Sequence, residues 1–176
     1  MNAGFGLEGV LAGTSYDALR RLGRGGMGEV FAVVERFIGR RFALKVLHSD
    51  FAASPELIDR MRLEAQALGR LQHPNVVEVV DFWTSREGRP CLVMELLEGR
   101  TLAEELLARR RLPPFEAVEW ARRTLDALDA AHALGVVHRD LKPENLFLHE
   151  VPGHGRVLKV LDFGLARISG QIRGPL

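Results

Sequence analysis

The alternation of apolar and polar positions is sharpest near the start of the chain. From Tyr16 to Leu47 the segments "YDALRRLG", "EVFAVVERF" and "RRFALKVL" are rich in β-branched and aromatic residues and separated by short breaks. Three strands are predicted, the second and third joined by a turn at Ile38-Gly39. The period then changes. Ser54 is placed to cap, and Pro55 to open, a helix in which Ile58, Met61, Ala65, Leu68 and Leu71 recur at steps of three and four. The turn "QHPN" ends it, and "VVEVVDFW" and "PCLVMEL", on either side of "SREGR", predict two further strands. The first hundred residues therefore read as an antiparallel sheet with one inserted helix.

The pattern shifts after Gly99. Pro113 and Pro114 precede a long helix with Val118, Ala121, Leu125, Leu128, Ala131 and Leu134 as one apolar stripe. Two strand-like pieces, "NLFLH" and "RVLKVLDF", flank the loop "EVPGHG". The fold class is α+β: a small β-rich lobe, a linker near 96–100, and the start of a helical lobe.

Composition narrows the function classes. With 176 residues, 47% hydrophobic and 27% charged, the chain is long enough for a globular core, and its formal net charge of +1 lacks the basic excess that draws nucleic acid or an anionic membrane. Neither is an expected partner. The single cysteine, Cys91, leaves no internal disulfide and sits in an apolar run, where a buried, inert thiol is expected. The start "MNAGFGLEGVLAGTSYDAL" has no basic leader region, and nowhere do about 18 apolar residues run together. No signal peptide, no membrane span and a cytoplasmic location are the expectations. Only Lys45, Lys142 and Lys159 among the 24 basic residues are lysines. A chain that writes arginine almost everywhere keeps lysine where a compact point charge is wanted.

Candidate chemistry begins at "GRGGMGEV", in which Gly23, Gly25 and Gly28 form GxGxxG. Absent side chains let backbone amides approach phosphate oxygens. A dinucleotide-binding turn shares the pattern but needs a helix directly after it, whereas strand follows here; a plain flexible hairpin stays open. Lys45 lies 17 residues after Gly28 on a strand, where an inward lysine is costly unless paired. Glu64, on the inward side of the predicted helix, is its natural partner, although a helix glutamate is ordinarily a solvated face. In "VVHRDLKPENLFL", Asp140 is followed by Lys142 and Asn145. An aspartate can orient a hydroxyl and accept its proton, a lysine can neutralise a transferring group, and an asparagine offers an amide oxygen to magnesium. Asp162 in "LDFG" adds a hard carboxylate, with Gly164 permitting a sharp change of direction. His138 reads as a packed, hydrogen-bonded histidine, and His132, His149 and His154 lack metal-ligand spacing.

With these residues in order, the chain resembles the eukaryotic-type (Hanks-type) protein kinases, the serine/threonine branch by "HRDLKPEN", and bacterial members by "LGRGGMGEVF", "HPNVV" and "MELLEG". The resemblance implies a protein-kinase-like fold with an N-terminal extension over 1–15, an N-lobe over 16–95, a hinge over 96–100 and a partial C-lobe over 101–176. It implies ATP and magnesium as cofactors and a protein Ser/Thr hydroxyl as substrate. Leu22, Gly23, Gly25 and Gly28 would cover ATP, Lys45 would hold its phosphates and Glu64 would fix Lys45. Val30, Ala43 and Phe147 would sandwich the adenine, with Met94 behind it and the backbone of Glu95 and Leu97 at its edge. Asp140 would be the base, Lys142 would meet the γ-phosphate, and Asn145 and Asp162 would hold the metal. Leu68, Val79, His138 and Phe163 would stack as the column linking the lobes; ordinary core packing explains each equally.

The family pattern also implies an activation segment, an APE motif and further helices after the DFG, where this sequence has twelve residues, "LARISGQIRGPL". Arg139 would pair with a phosphate on that segment, and Ser169 stands too close to the DFG to replace it. The expectation is an incomplete catalytic domain, whose long helix 114–134 exposes an apolar stripe that a partner could cover. A non-catalytic ATP-binding or protein-interaction module is the alternative.

Overall fold

Tyr16–Gly25 (β1), Gly28–Glu35 (β2), Arg41–Leu47 (β3), Val79–Thr84 (β4) and Pro90–Glu95 (β5) pair as an antiparallel sheet in the order β1-β2-β3-β5-β4. The computed structural model describes residues 6–50 and 55–163. Two compact units divide them: the first takes in residues up to Gly69 together with Val79–Leu96, the second Arg70–Glu78 together with the chain from Leu97 onward.

In the first unit the period of two decides the layers. Phe31 on β2 lies opposite Leu44 on β3, which lies opposite Val93 on β5, and all three are buried. Completing that face are Tyr16, Val33, Phe42 and Val46, with Val10 and Leu11 from a short helix, Glu8–Leu11 (α1), and Leu7 just before it. Burying each such side chain contributes about 1.5–3 kcal/mol. The Trp83 indole N–H donates to the Val10 carbonyl at 3.1 Å, and its ring stacks on Tyr16 with centroids 5.8 Å apart. Chain preceding Tyr16 thus closes one face of the sheet. On the other face Val30, Lys45 and Leu92 stand side by side, next to Ala32, Ala43 and Met94. Pro55–Arg70 forms the expected helix (α2), buried through Leu57, Met61, Ala65 and Leu68. Leu57 replaces Ile58 on its inward stripe, while Ser54, the expected cap, lies outside the described residues.

The predicted strand at "VVEVVDFW" is corrected. β4 begins only at Val79, and Val76 instead forms a parallel bridge with Val160 in the second unit. Val77 N–H donates to Val160 O at 3.1 Å, Val160 N–H to Asn75 O at 2.8 Å, and the Asn75 amide to Leu158 O at 2.8 Å. The free edge of the second sheet offers these groups backbone partners, which outweighs continuing a strand. That sheet comprises Gly99–Thr101 (β6), Leu146–Val151 (β7) and Gly155–Val160 (β8), antiparallel in sequence order. The run "RVLKVLDF" is therefore strand only to Val160.

Leu102–Arg109 (α3) opens on a capping box: Glu104 N–H donates to Thr101 Oγ1 at 3.2 Å, and Thr101 N–H to Glu104 Oε2 at 2.7 Å. Buried Glu105 ties it down, accepting from Arg156 at 2.7 Å and Arg109 at 3.1 Å. Pro114–His132 is the long helix (α4), with Thr124, Ala127 and Ala131 buried. Of the predicted stripe, Val118 and Leu125 are 68% and 65% exposed, as expected of a face left uncovered, while Ala131 is buried; the inward side is completed by the small residues Thr124 and Ala127.

Candidate active site

Asp140 sits in the loop between α4 and β7, where the chain leaves buried Val136 and His138 and re-enters the core at buried Asn145 and Leu146. A 3-10 turn over Pro143–Asn145, closed by Asn145 N–H to Lys142 O at 2.9 Å, folds the three polar side chains onto one another. The Lys142 ammonium lies 2.7 Å from Asp140 Oδ2. The Asn145 amide donates to the Asp140 backbone carbonyl at 2.8 Å and to Oδ2 at 3.2 Å. The hydrogen bond from Lys142 is the main cause that holds the Asp140 carboxyl below its ordinary range, and Asp140 raises Lys142 in return. Both stay charged at neutral pH.

His138 ties this loop to the strand end after β8. Its Nδ1 accepts from Asp140 N–H at 3.2 Å, so Nε2 carries the proton and donates to Leu161 O at 2.8 Å. Burial lowers its pKa, which favours this neutral form. Leu161 N–H donates to Asn145 O at 2.9 Å, so Leu161 is held on both sides immediately before Asp162. Asp162 adopts φ +55°, and Phe163 packs its ring 4.8 Å from that of His138. The next residue, Gly164, and Ser169 lie outside the described residues. The packed histidine read from the sequence is what the structure contains.

In the first unit the glycine-rich stretch is a hairpin: Gly23 lies opposite Val30 and Gly25 opposite Gly28, with strand on both sides. No helix follows it, which removes the dinucleotide-turn reading. A Cβ at Gly23, Gly25 or Gly26 would meet nothing within 4 Å, whereas one at Gly28 would collide with the Val46 carbonyl. Gly28 is thus required by its packing against β3. Lys45 is 7% exposed and lies opposite Val30; Ala43 lies opposite Met94. Glu64 is half-buried on α2, Leu22 is exposed, and Glu95 ends β5 half-buried. In the second unit half-buried Leu97 precedes β6, and Phe147 on β7 lies opposite Thr101 and Lys159. Cys91 is fully buried, which pushes its thiol up to about 12 and makes it inert at neutral pH.

The family model for the protein kinase domain matches residues 16–172. This chain belongs to the protein kinase domain family. It is 43% identical over 163 residues to the serine/threonine-protein kinase Pkn1 of Myxococcus xanthus, covering 93% of this chain and 23% of that protein. With PknA of Mycobacterium tuberculosis it shares 41% identity, over 90% of this chain and 37% of that one. The crystal structure of the M. tuberculosis PknI kinase domain superposes with a TM-score of 0.77 at 33% identity, covering 85% of this chain and 60% of that chain. The kinase-like fold and the bacterial serine/threonine branch expected from the motifs are both found.

Within this kinase-family chain, Asp140, Lys142 and Asn145 are in direct contact, and Asp162 is tethered to them through Leu161. The anchoring role of Leu161 was not legible beforehand, since an apolar residue before a DFG gives no signal of which backbone groups hold it. Among the described residues no group of three or more His, Cys, Asp and Glu could hold a metal by itself, and no helix is long and apolar enough to cross a membrane.

Proposed function

We propose that this chain carries the nucleotide-binding and catalytic-loop part of a serine/threonine protein kinase. The observation that supports it best is Asp140, kept ionised by Lys142 and oriented by Asn145. In this reading Asp140 orients a protein Ser/Thr hydroxyl and takes its proton, leaving the hydroxyl oxygen to attack the γ-phosphorus of ATP as the bond from that phosphorus to the bridging oxygen breaks and ADP leaves. Lys142 neutralises charge on the transferring group. Leu22, Gly23, Gly25, Gly28, Val30, Ala43, Lys45, Met94, Glu95, Leu97 and Phe147 form the ATP-binding set, with Glu64 orienting Lys45. The donor types fit magnesium: the Asn145 Nδ2 is spent on Asp140, so its Oδ1 would serve as one hard oxygen ligand and the carboxylate of Asp162 as another. Magnesium neutralises phosphate charge when bound. The cytoplasm, where ATP is plentiful and a lone thiol stays reduced, suits this chemistry.

A protein-interaction module is the second reading, and α4 favours it. Its outward face shows Phe115, Val118 and Leu125, at 73%, 68% and 65% exposure, beside an apolar groove of about 380 Å³ lined in part by Trp120, Leu112 and Leu141. Among the described residues the Trp120 indole N–H, on this side of the helix, has no acceptor.

The two readings separate in one assay. Transfer of labelled γ-phosphate from ATP to a basic protein, lost in Asp140→Asn, supports the kinase. Transfer that survives the substitution belongs to a contaminant, and absence of transfer from a folded, ATP-binding chain favours the non-catalytic module.

A further inference from the structure

The backbone of Glu98 meets one ring nitrogen at both of its polar groups. Glu98 N–H lies 3.1 Å from His149 Nδ1, and Glu98 O lies 3.0 Å from the same atom. Glu98 stands two residues past Leu96, at the point where the chain passes from the first compact unit to the second. One nitrogen cannot accept from the N–H and donate to the carbonyl at once, so its proton decides which bond exists.

The neutral state is decided by what else each group has. Glu98 O already accepts from Glu150 N–H at 2.7 Å, whereas among the described residues Glu98 N–H has no acceptor other than His149 Nδ1. The neutral ring is therefore the Nε2–H tautomer, its Nδ1 accepting from Glu98 N–H. Glu98 is then tied to β7 twice, through its N–H to the His149 side chain and through its carbonyl to the Glu150 backbone. Once Nδ1 gains a proton, the ring donates to Glu98 O, which has a second lone pair for it, and Glu98 N–H loses its acceptor. Heavy atoms need not move, since both distances already suit a hydrogen bond.

We propose that His149 is a protonation-dependent anchor of the crossover at Glu98: two ties to β7 through N–H and carbonyl when neutral, carbonyl ties alone when charged. Directly opposite His149 stand Gly99 on β6 and Val157 on β8, neither of them charged. Alternation puts Lys159 of β8 on the same face, its Nζ 3.4 Å from Val76 O. Arg100, Glu150 and Arg156 fall on the other face, where Glu105 engages both arginines. The anchor therefore responds to the proton on His149, with Lys159 as the charged group on its own side.

Nuclear magnetic resonance of the 176-residue chain tests this without a variant. At pH 8 the ring nitrogens of His149 should report the Nε2–H tautomer. As pH is lowered, the Glu98 amide shift should follow the ring-nitrogen shifts of His149 point by point. Protection of the Glu98 amide against exchange, corrected for its intrinsic pH dependence, should fall by about 3- to 10-fold. In His149→Phe the Glu98 amide should no longer titrate. An Nδ1–H tautomer at pH 8, or a Glu98 amide that ignores the titration of His149, overturns the proposal.

Discussion

Asn145 reaches Asp140 twice, at its backbone carbonyl and at its carboxylate, from a position that is itself buried. The base candidate is therefore fixed in place from within the core. Asn145→Ala removes both bonds and leaves the Asp140 groups short of a donor, so the second unit should lose about 1–3 kcal/mol. Urea unfolding followed by fluorescence measures it; a loss under about 0.5 kcal/mol would mean the contacts carry no weight.

His138 sets a pH dependence. Burial lowers its pKa in the folded chain, so its contribution to stability is complete above the unfolded value of about 6.5 and declines as pH falls towards the folded value. The melting temperature should drop from pH 7.5 to 5.5, and His138→Phe should show a shallower dependence, whatever its absolute stability. Parallel curves for the two proteins contradict this assignment.

Among the loop glycines, only one should matter for folding. Gly28→Ala drives a Cβ into the Val46 carbonyl and should cost about 1–3 kcal/mol, as overpacking against backbone does. Gly25→Ala meets nothing and should stay within about 0.5 kcal/mol of the parent. A weaker affinity of Gly25→Ala for ATP, at unchanged melting temperature, is the outcome expected of a phosphate-covering loop.

Glu105 is the buried carboxylate with most at stake in the second unit. Its pKa is lowered chiefly by the hydrogen bond from Arg156, so its stabilisation is present above the unfolded value of about 4.3 and lost as pH falls towards the folded one. Glu105→Ala leaves Arg156 and Arg109 without their shared acceptor, and since both arginines keep partial access to water it should cost about 1–3 kcal/mol. Equal stabilities of the variant and the parent in urea at pH 7 would show that the pairs are incidental.

The strands and α2 were legible because their periods differ and their breaks carry Gly or Pro. The helix α4 was legible, and so was its exposed apolar stripe, but not its packed face, since periodicity counts apolar positions and the residues inside are small or polar. Thr124 and Ala127 are inside, while Leu125 between them is not. Overlooked α3 had a signal in Thr101 and Glu104, the capping-box spacing, but eight residues gave too little periodicity to stand on. Val76 and Val77 looked like strand because an apolar run does not reveal which edge will pair with it. At the site, spacing identified Asp140, Lys142 and Asn145, which the fold brings into contact. The role of Leu161 lies wholly in its backbone and leaves no trace in the sequence.

Magnesium-dependent ATP binding by the 176-residue chain tests the central claim most directly. Thermal unfolding with ATP and magnesium should shift upward, and the shift should shrink when Lys45→Met removes the charge proposed to hold the phosphates or when magnesium is chelated. A well-folded sample whose melting temperature is the same with and without ATP and magnesium contradicts it.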